Sequence, residues 1–390
     1  MSVAVVRRFG AISLRGARFG GVAAVLAFVA VRWLRLGGVG AFPLAGGAAV
    51  HPGTPRELAL YPTGYDGEFV YRLALDPFTQ SAAGHGITLD LPAYRQQRIM
   101  TALVAHLVAG LPGVGVAAAL IIVNVAAVCV AIWYGTAFAV LVRRPPAVGL
   151  LLAVPACMPI SLGRDLTEPV AWAGALAGIY LVRRGRWLGA AVALTVGVLA
   201  RETTVVIIVG LIAGEAWKLA RPALVSTWRA SWLLAPLAAA TGWQLWMLHV
   251  WGTLPIRTGQ SANAGSLPVV GVLESLLWGV VGQHSSGVAI GVAELLERLV
   301  LLILIAAAAW AVLRRDTAAS PGETSGWFLA VVLALSVRRW GTDVAFLRAT
   351  YESWAMSILL LIQARRVPRY ALTAAGLATL AVAGMYGYLT

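Results

Sequence analysis

An aspartate and a glutamate two residues apart, among aromatic side chains, are the part of this chain best suited to chemistry. The stretch reads Tyr65-Asp66-Gly67-Glu68-Phe69-Val70-Tyr71-Arg72-Leu73-Ala74. A carboxylate placed this way can take the proton from an attacking hydroxyl. Further on, Asp90-Leu91-Pro92-Ala93-Tyr94-Arg95-Gln96-Gln97-Arg98 sets two arginines three residues apart. On a helix they share a face and can hold a phosphate through charge-assisted hydrogen bonds. More arginines stand beside carboxylates at Arg164-Asp165 with Glu168, at Arg201-Glu202, and at Arg338-Arg339 with Asp343, Arg348 and Glu352. Positive charge of this kind stabilises a departing phosphate. Each group also has a plainer role. Asp66 can cap a short helix over Glu68 to Leu75. Arg95 and Arg98 can anchor the chain at a membrane surface. The mixed clusters can be a solvated rim of ion pairs.

The elements that position these residues are membrane spans. The chain has 390 residues, 60% hydrophobic and only 12% charged, with a mean hydropathy of +0.82. A soluble domain carries roughly 25% charged residues. These values exclude soluble, disordered and collagen-like chains, and unbroken apolar runs argue against a β-barrel. The apolar runs predict a single all-α transmembrane domain over 1–390 with about eleven spans. They fall near 18–38, 112–142, 147–162, 168–183, 187–201, 203–220, 231–251, 293–313, 326–338, 350–364 and 369–389. The run Ile99 to Ala109 is too short to cross and is assigned to the interface. Two long connections, 40–98 and 252–292, lie on one side.

Charge sets the orientation. Arg7, Arg8, Arg15 and Arg18 precede the first run, which reads as a retained signal-anchor with the N-terminus inside. The inner connections then hold Arg143-Arg144, Arg183-Arg184-Arg186, Lys218 with Arg221 and Arg229, Arg314-Arg315, and Arg365, Arg366 and Arg369. Every one is basic, as the positive-inside rule requires. The net charge of +14 is therefore a topological signal, and no nucleic-acid partner is expected. The C-terminus falls outside. Nearly all acidic residues fall outside too, together with the arginine–carboxylate clusters, and three such clusters on one face favour a shared site.

The Asp-Gly-aromatic loop after a signal-anchor, followed by the arginine-rich entry Tyr94 to Ala102, resembles the GT-C superfamily of integral-membrane glycosyltransferases. It is most similar to bacterial mannosyltransferase-like members and the phosphatidylinositol-glycan mannosyltransferases. Gly163-Arg164-Asp165-Leu166-Thr167-Glu168-Pro169 and Leu199-Ala200-Arg201-Glu202-Thr203 look like recurrent features of bacterial relatives. The resemblance implies an inverting enzyme in the bacterial inner membrane, working on its extracytoplasmic side. The partners it implies are a polyprenyl-phosphate sugar donor, a lipid or glycan acceptor and the membrane lipids. The family's base is an acidic residue of the first outer loop. Asp66 matches that position and Glu68 is the neighbouring alternative. Many relatives carry two adjacent acidic residues, whereas here Gly67 intervenes, so the choice stays open. Arg95, Arg98, Arg164, Arg201 and Arg348 are the donor-phosphate candidates, with Tyr65, Tyr71, Asp165, Glu168 and Glu202 in support.

No cofactor motif is present. Gly110 to Gly115 lacks the Lys-Ser/Thr ending of a phosphate loop. The five histidines have no metal-ligand spacing, and a divalent metal on Asp66, Glu68 or Asp165 stays open. Cys129 and Cys157 read as small apolar residues. Trp33, Trp187, Trp228, Trp251, Trp310, Trp340 and Trp354 suit interfacial belts, and Trp340 and Trp354 could also stack on a sugar. Two other classes remain: a transporter or flippase of a lipid-linked or anionic solute, and a non-catalytic scaffold of the same architecture. A transporter needs ionisable groups at the midplane, and the one-sided acidic face favours an enzyme.

Overall fold

In the computed structural model, residues 13–220, 228–255, 257–258, 269–270, 288–336, 345–366 and 369–388 are described. Most of the 252–292 connection, along with Arg7, Arg8, Arg221, His284, Arg338, Arg339, Trp340 and Asp343, lies outside them. The protein is all-α with very little sheet. Its helices are α1 (Leu14–Leu36), α2 (Gly67–Leu75), α3 (Pro92–Gln96), α4 (Ile99–Ala109), α5 (Val116–Leu141), α6 (Val148–Ala153), α7 (Met158–Gly163) and α8 (Glu168–Arg183). They continue as α9 (Trp187–Ala200), α10 (Val205–Leu219), α11 (Leu234–Trp251), α12 (Val288–Leu313), α13 (Pro321–Leu335), α14 (Ala345–Ala349), α15 (Tyr351–Gln363) and α16 (Arg369–Tyr388).

Within the described residues, every predicted span coincides with helix except 147–162. There Pro155 forces Val154 out of the helical region (φ −125°, ψ 71°), and the run divides into α6 and α7. Among the described residues three helical stretches are long and apolar enough to cross a bilayer: Leu14–Leu36, Val116–Leu141 and Leu295–Leu313. The others are shorter or less apolar; α9, with 14 residues, rises only about 21 Å.

The helices approach closely where they carry glycine. Gly210 and Gly214 of α10 face Gly326 and Gly322 of α13, and a Cβ on either α10 glycine would enter the opposing backbone. Gly174 meets Gly197 in the same way across the α8–α9 hairpin. Small residues four apart let backbones touch and gain dispersion contacts that no side chain could reach. All 13 residues of α15 are buried, which makes it the central helix. Trp172 of α8 meets Tyr351 edge-on at 6.4 Å and donates its indole N–H to the Leu152 carbonyl at 2.7 Å.

Polar groups collect at the two ends of this core. Glu168 opens α8 and Arg183 closes it, about 24 Å apart for a 16-residue helix. Glu352 and Gln363 mark the matching ends of α15. At the far end Arg183 holds Glu323 at 2.6 and 2.5 Å and Gln363 at 2.6 Å. Glu323 also closes a capping box with Ser320, which is why α13 starts ahead of its apolar run.

The 40–98 segment is folded rather than open. Ala45–Gly46 pairs in parallel with Leu60–Tyr61, and Ala83–Gly84 pairs antiparallel with Ile87–Thr88. Helix α2 is buried from Gly67 to Ala74. A Cβ on Gly67 would strike the carbonyl oxygens of Arg164 and Pro43, so this glycine lets the loop press onto the α7–α8 turn. Gln96 ties the segment to α11, accepting from the indole N–H of Trp251 at 2.7 Å.

Substituting Gly214→Val should destabilise the fold by about 1–3 kcal/mol through overpacking at the α10–α13 crossing. Gly242→Ala on α11, where a Cβ meets nothing, should not. Thermal unfolding in detergent measures both, and equal melting temperatures would refute the close crossing.

Candidate functional site

Asp66 stands at the N-terminus of α2, yet its side chain caps nothing. Both carboxylate oxygens are taken by guanidiniums instead. Arg95 Nη1 donates to Oδ1 at 2.7 Å, and Arg348 Nη1 donates to Oδ2 at 2.7 Å. Each arginine is held from behind by a second carboxylate. Arg95 donates through Nε and Nη2 to Asp90 at 2.8 and 2.9 Å. Arg348 donates through Nε to Glu168 at 2.7 Å. Arg348 Nη1 also reaches the Tyr65 hydroxyl at 3.2 Å.

The network continues inward. The Glu168 oxygen that serves Arg348 also accepts from Arg201 Nη1, and its other oxygen accepts from Ser161 at 3.1 Å. Arg201 donates to the Arg348 carbonyl at 2.7 Å and lies 3.8 Å from Glu352. Glu352 in turn accepts from the Thr203 hydroxyl. Beside this chain Arg98 grips Glu202 with two hydrogen bonds of 2.9 and 2.7 Å and donates to Tyr94 at 2.8 Å. The site thus joins the loop, the α7–α8 turn, the α9–α10 junction and the α14–α15 region.

Most of the expected residues meet here, with corrections. Arg95 and Arg98 do not share a helix face. Arg98 leaves the helical region (φ −93°, ψ 49°) and separates α3 from α4, and each arginine turns to its own carboxylate. Tyr71 stands apart, donating to Glu57 at 2.5 Å. Arg164 stacks over the Tyr65 ring at 4.2 Å. Asp165 is fully buried at a positive φ of 50°, and burial pushes its carboxyl up. Asp90, Ser161, Thr203 and Glu352 belong to the network without having been assigned roles from sequence. Asp90 and Glu352 carried a local signal, five residues ahead of Arg95 and four after Arg348. Glu323, expected on a basic inner loop, is buried against Arg183 at the other end of α8.

Electrostatics separates the two loop carboxylates. Burial alone would raise the Asp66 carboxyl, but Arg348 and Arg95 outweigh it and hold it well below the ordinary range. Glu68 is 3% exposed. Burial pushes its carboxyl up to about 7, against a 2.9 Å hydrogen bond from the Gly46 N–H and the charge of Arg95. Glu202 is brought down to about 2: burial opposes ionisation, and Arg98 overrides it. Asp66 keeps 29% of its side chain exposed, so it is the loop carboxylate a substrate can touch. A cavity of about 20 Å³ adjoins it, lined by Asp66, Phe69, Arg95, Arg98, Thr167 and Arg348 among others. A larger one, about 320 Å³, lies at the α8–α9 turn beside Arg186, Trp187, Arg229 and Trp232, away from these carboxylates. Among the described residues no three His, Cys, Asp or Glu side chains gather to hold a metal ion.

No protein-family model, no curated protein and no solved structure matches this chain. What it shows directly is an all-α protein with three helical stretches long and apolar enough to cross a membrane, among the described residues, and a buried arginine–carboxylate network that reaches the surface at Asp66.

The Glu68 carboxyl titrates higher in the folded protein than in the unfolded chain. Its stabilising contribution is full below its ordinary value near 4.5 and is lost as the pH rises to about 7. Melting curves should therefore show wild type losing stability from about pH 5 to about pH 8 relative to Glu68→Gln. Parallel profiles would mean that Glu68 does not titrate in this window.

Proposed function

We propose that this chain is a GT-C-like inverting glycosyltransferase of the bacterial inner membrane. In this reading it has about eleven spans, with its N-terminus inside and its C-terminus and active site outside. It transfers a sugar from a polyprenyl-phosphate donor to a hydroxyl of a lipid or glycan acceptor. The observation that carries the reading is the partly exposed Asp66 carboxylate bridged by Arg95 and Arg348. That arrangement sets a proton acceptor and an anion-binding pair at one point. The acceptor hydroxyl gives its proton to Asp66 as it attacks the anomeric carbon, and the lipid phosphate leaves from the opposite face toward the arginines. Glu68, buried beside the same loop turn, is the alternative base. The resemblance of the Tyr65 to Ala74 loop to the family supports this class over a transporter. So does the character of the opposite cluster, where Glu323 closes a helix cap with Ser320 and pairs with Arg183 rather than forming a second site.

Purified protein in lipid nanodiscs, given labelled polyprenyl-phosphate sugars and envelope lipid or glycan extracts, should transfer sugar. Asp66→Asn should lower the rate by about 100-fold or more, the range for loss of a general base. No transfer from any donor would overturn the reading. Loss of transfer in Glu68→Gln with retention in Asp66→Asn would move the base to Glu68.

Orientation has its own test. With Cys129 and Cys157 replaced by alanine, cysteines at the exposed positions Gln80 and Arg184 should label from outside and inside the cell respectively. Labelling from one side would break the topology.

A further inference from the structure

The two guanidiniums around Asp66 are placed as a receptor for an anion. Nη1 of Arg95 and Nη1 of Arg348 converge on it, each 2.7 Å from a different carboxylate oxygen. Neither arginine depends on Asp66 for its position. Arg95 stays paired through Nε and Nη2 with Asp90, and Arg348 through Nε with the fully buried Glu168. A carboxylate and a phosphate present two oxygens at similar spacing, and guanidiniums accept both.

We infer that Arg95 and Arg348 form a phosphate clamp that Asp66 occupies as an internal anion, and that a phosphate-bearing ligand enters by displacing the Asp66 side chain. This rests on the proposed donor class for the identity of the ligand, but the clamp itself rests on geometry. The adjoining cavity, about 20 Å³, has room for about one water. A phosphate cannot sit beside the carboxylate and has to take its place. Asp66 is free to leave. Its side chain makes no cap hydrogen bond to α2 and is partly exposed, so its rotation breaks only the two arginine contacts.

Displacement has a chemical consequence. Within the clamp two positive charges keep the carboxylate ionised and weakly basic. Once out, it loses both and stands next to the charge of the phosphate, which raises its proton affinity. Seating the donor thereby prepares the base, and the acceptor's proton has a taker only after the phosphate is in place. Donor binding before acceptor binding follows.

The test is equilibrium binding, with no transfer step. Wild type and Asp66→Asn in nanodiscs are titrated with inorganic phosphate and with farnesyl phosphate. A clamp that its own carboxylate fills about nine times in ten weakens an outside anion about tenfold, so Asp66→Asn should bind both probes about tenfold more tightly. Asp66→Ser, which has no amide to refill the clamp, should do the same. Adding Arg348→Gln to either should abolish the gain, with thermal unfolding confirming that each variant is folded. Farnesyl phosphate competing with inorganic phosphate supports a lipid-borne ligand, and tightening for inorganic phosphate alone supports the clamp with a soluble one. Unchanged or weaker binding in folded Asp66→Asn and Asp66→Ser overturns the inference. Tighter binding in a protein that transfers no sugar keeps the clamp and removes the glycosyltransferase reading. Transfer without tightening removes only the clamp.

Discussion

One buried carboxylate, Glu168, pairs with two buried guanidiniums, and the architecture around the site depends on it. Its Oε1 accepts from both Arg201 and Arg348. All three groups are at most 7% exposed. Taking an ion out of water costs several kcal/mol, and only close pairing with the remaining hydrogen bonds satisfied offsets that. Glu168 therefore fixes the α7–α8 turn, the end of α9 and α14 relative to one another. Through Arg348 it also fixes Asp66 of the loop. The chain of charges from Asp90 at the surface to Glu352 in the core is thus a structural brace first. Whatever chemistry occurs at its outer end is built on that brace.

The brace needs the helices to be close, and glycine makes them so. The crossing of α10 on α13 sets the junction that carries Glu202 and Thr203, and the α8–α9 hairpin sets Glu168 against Arg201. Between apolar helices, backbones that touch gain dispersion contacts, and interhelical polar bonds add to them. The two devices occupy different levels here: glycine contacts along the helices, ion pairs at their ends.

Much of this was legible in the sequence, and the gaps have physical causes. Unbroken apolar runs located α1 and the longer helices from α5 onward because a long hydrophobic run admits few alternatives. It failed at 147–162, where composition was apolar throughout and one proline decided the backbone. The carboxylate-bearing loop stood out by residue type, and the clusters at Arg164, Arg201 and Arg348 were expected to share a site, and they come together. Partner choice was not legible. The spacing of Arg95 and Arg98 suggested one shared face, but each is drawn to a carboxylate distant in the chain or on another element. Glu323 counted as an inner-loop charge, whereas its burial follows from Arg183, 140 residues away. Spacing reports what a helix would align. It does not report which long-range carboxylate each arginine will find.

Asp66 and Glu68 show how far environment can divide two similar groups. They flank one glycine on one turn, yet Asp66 is pulled down by two guanidiniums while Glu68 is pushed up to about 7 by burial. Separated proton affinities of this kind mark candidate acid and base positions. Neither group is a finished base at rest. The exposed one is too strongly held, and the one with a suitable proton affinity is shut away beneath Gly64, where its carboxylate fills the space a side chain would need. A catalyst built on this loop must therefore change the surroundings of one of them. The surroundings that can change are those of Asp66, because its partners remain paired when it leaves, whereas Glu68 is fixed by the Gly46 backbone and a packed loop.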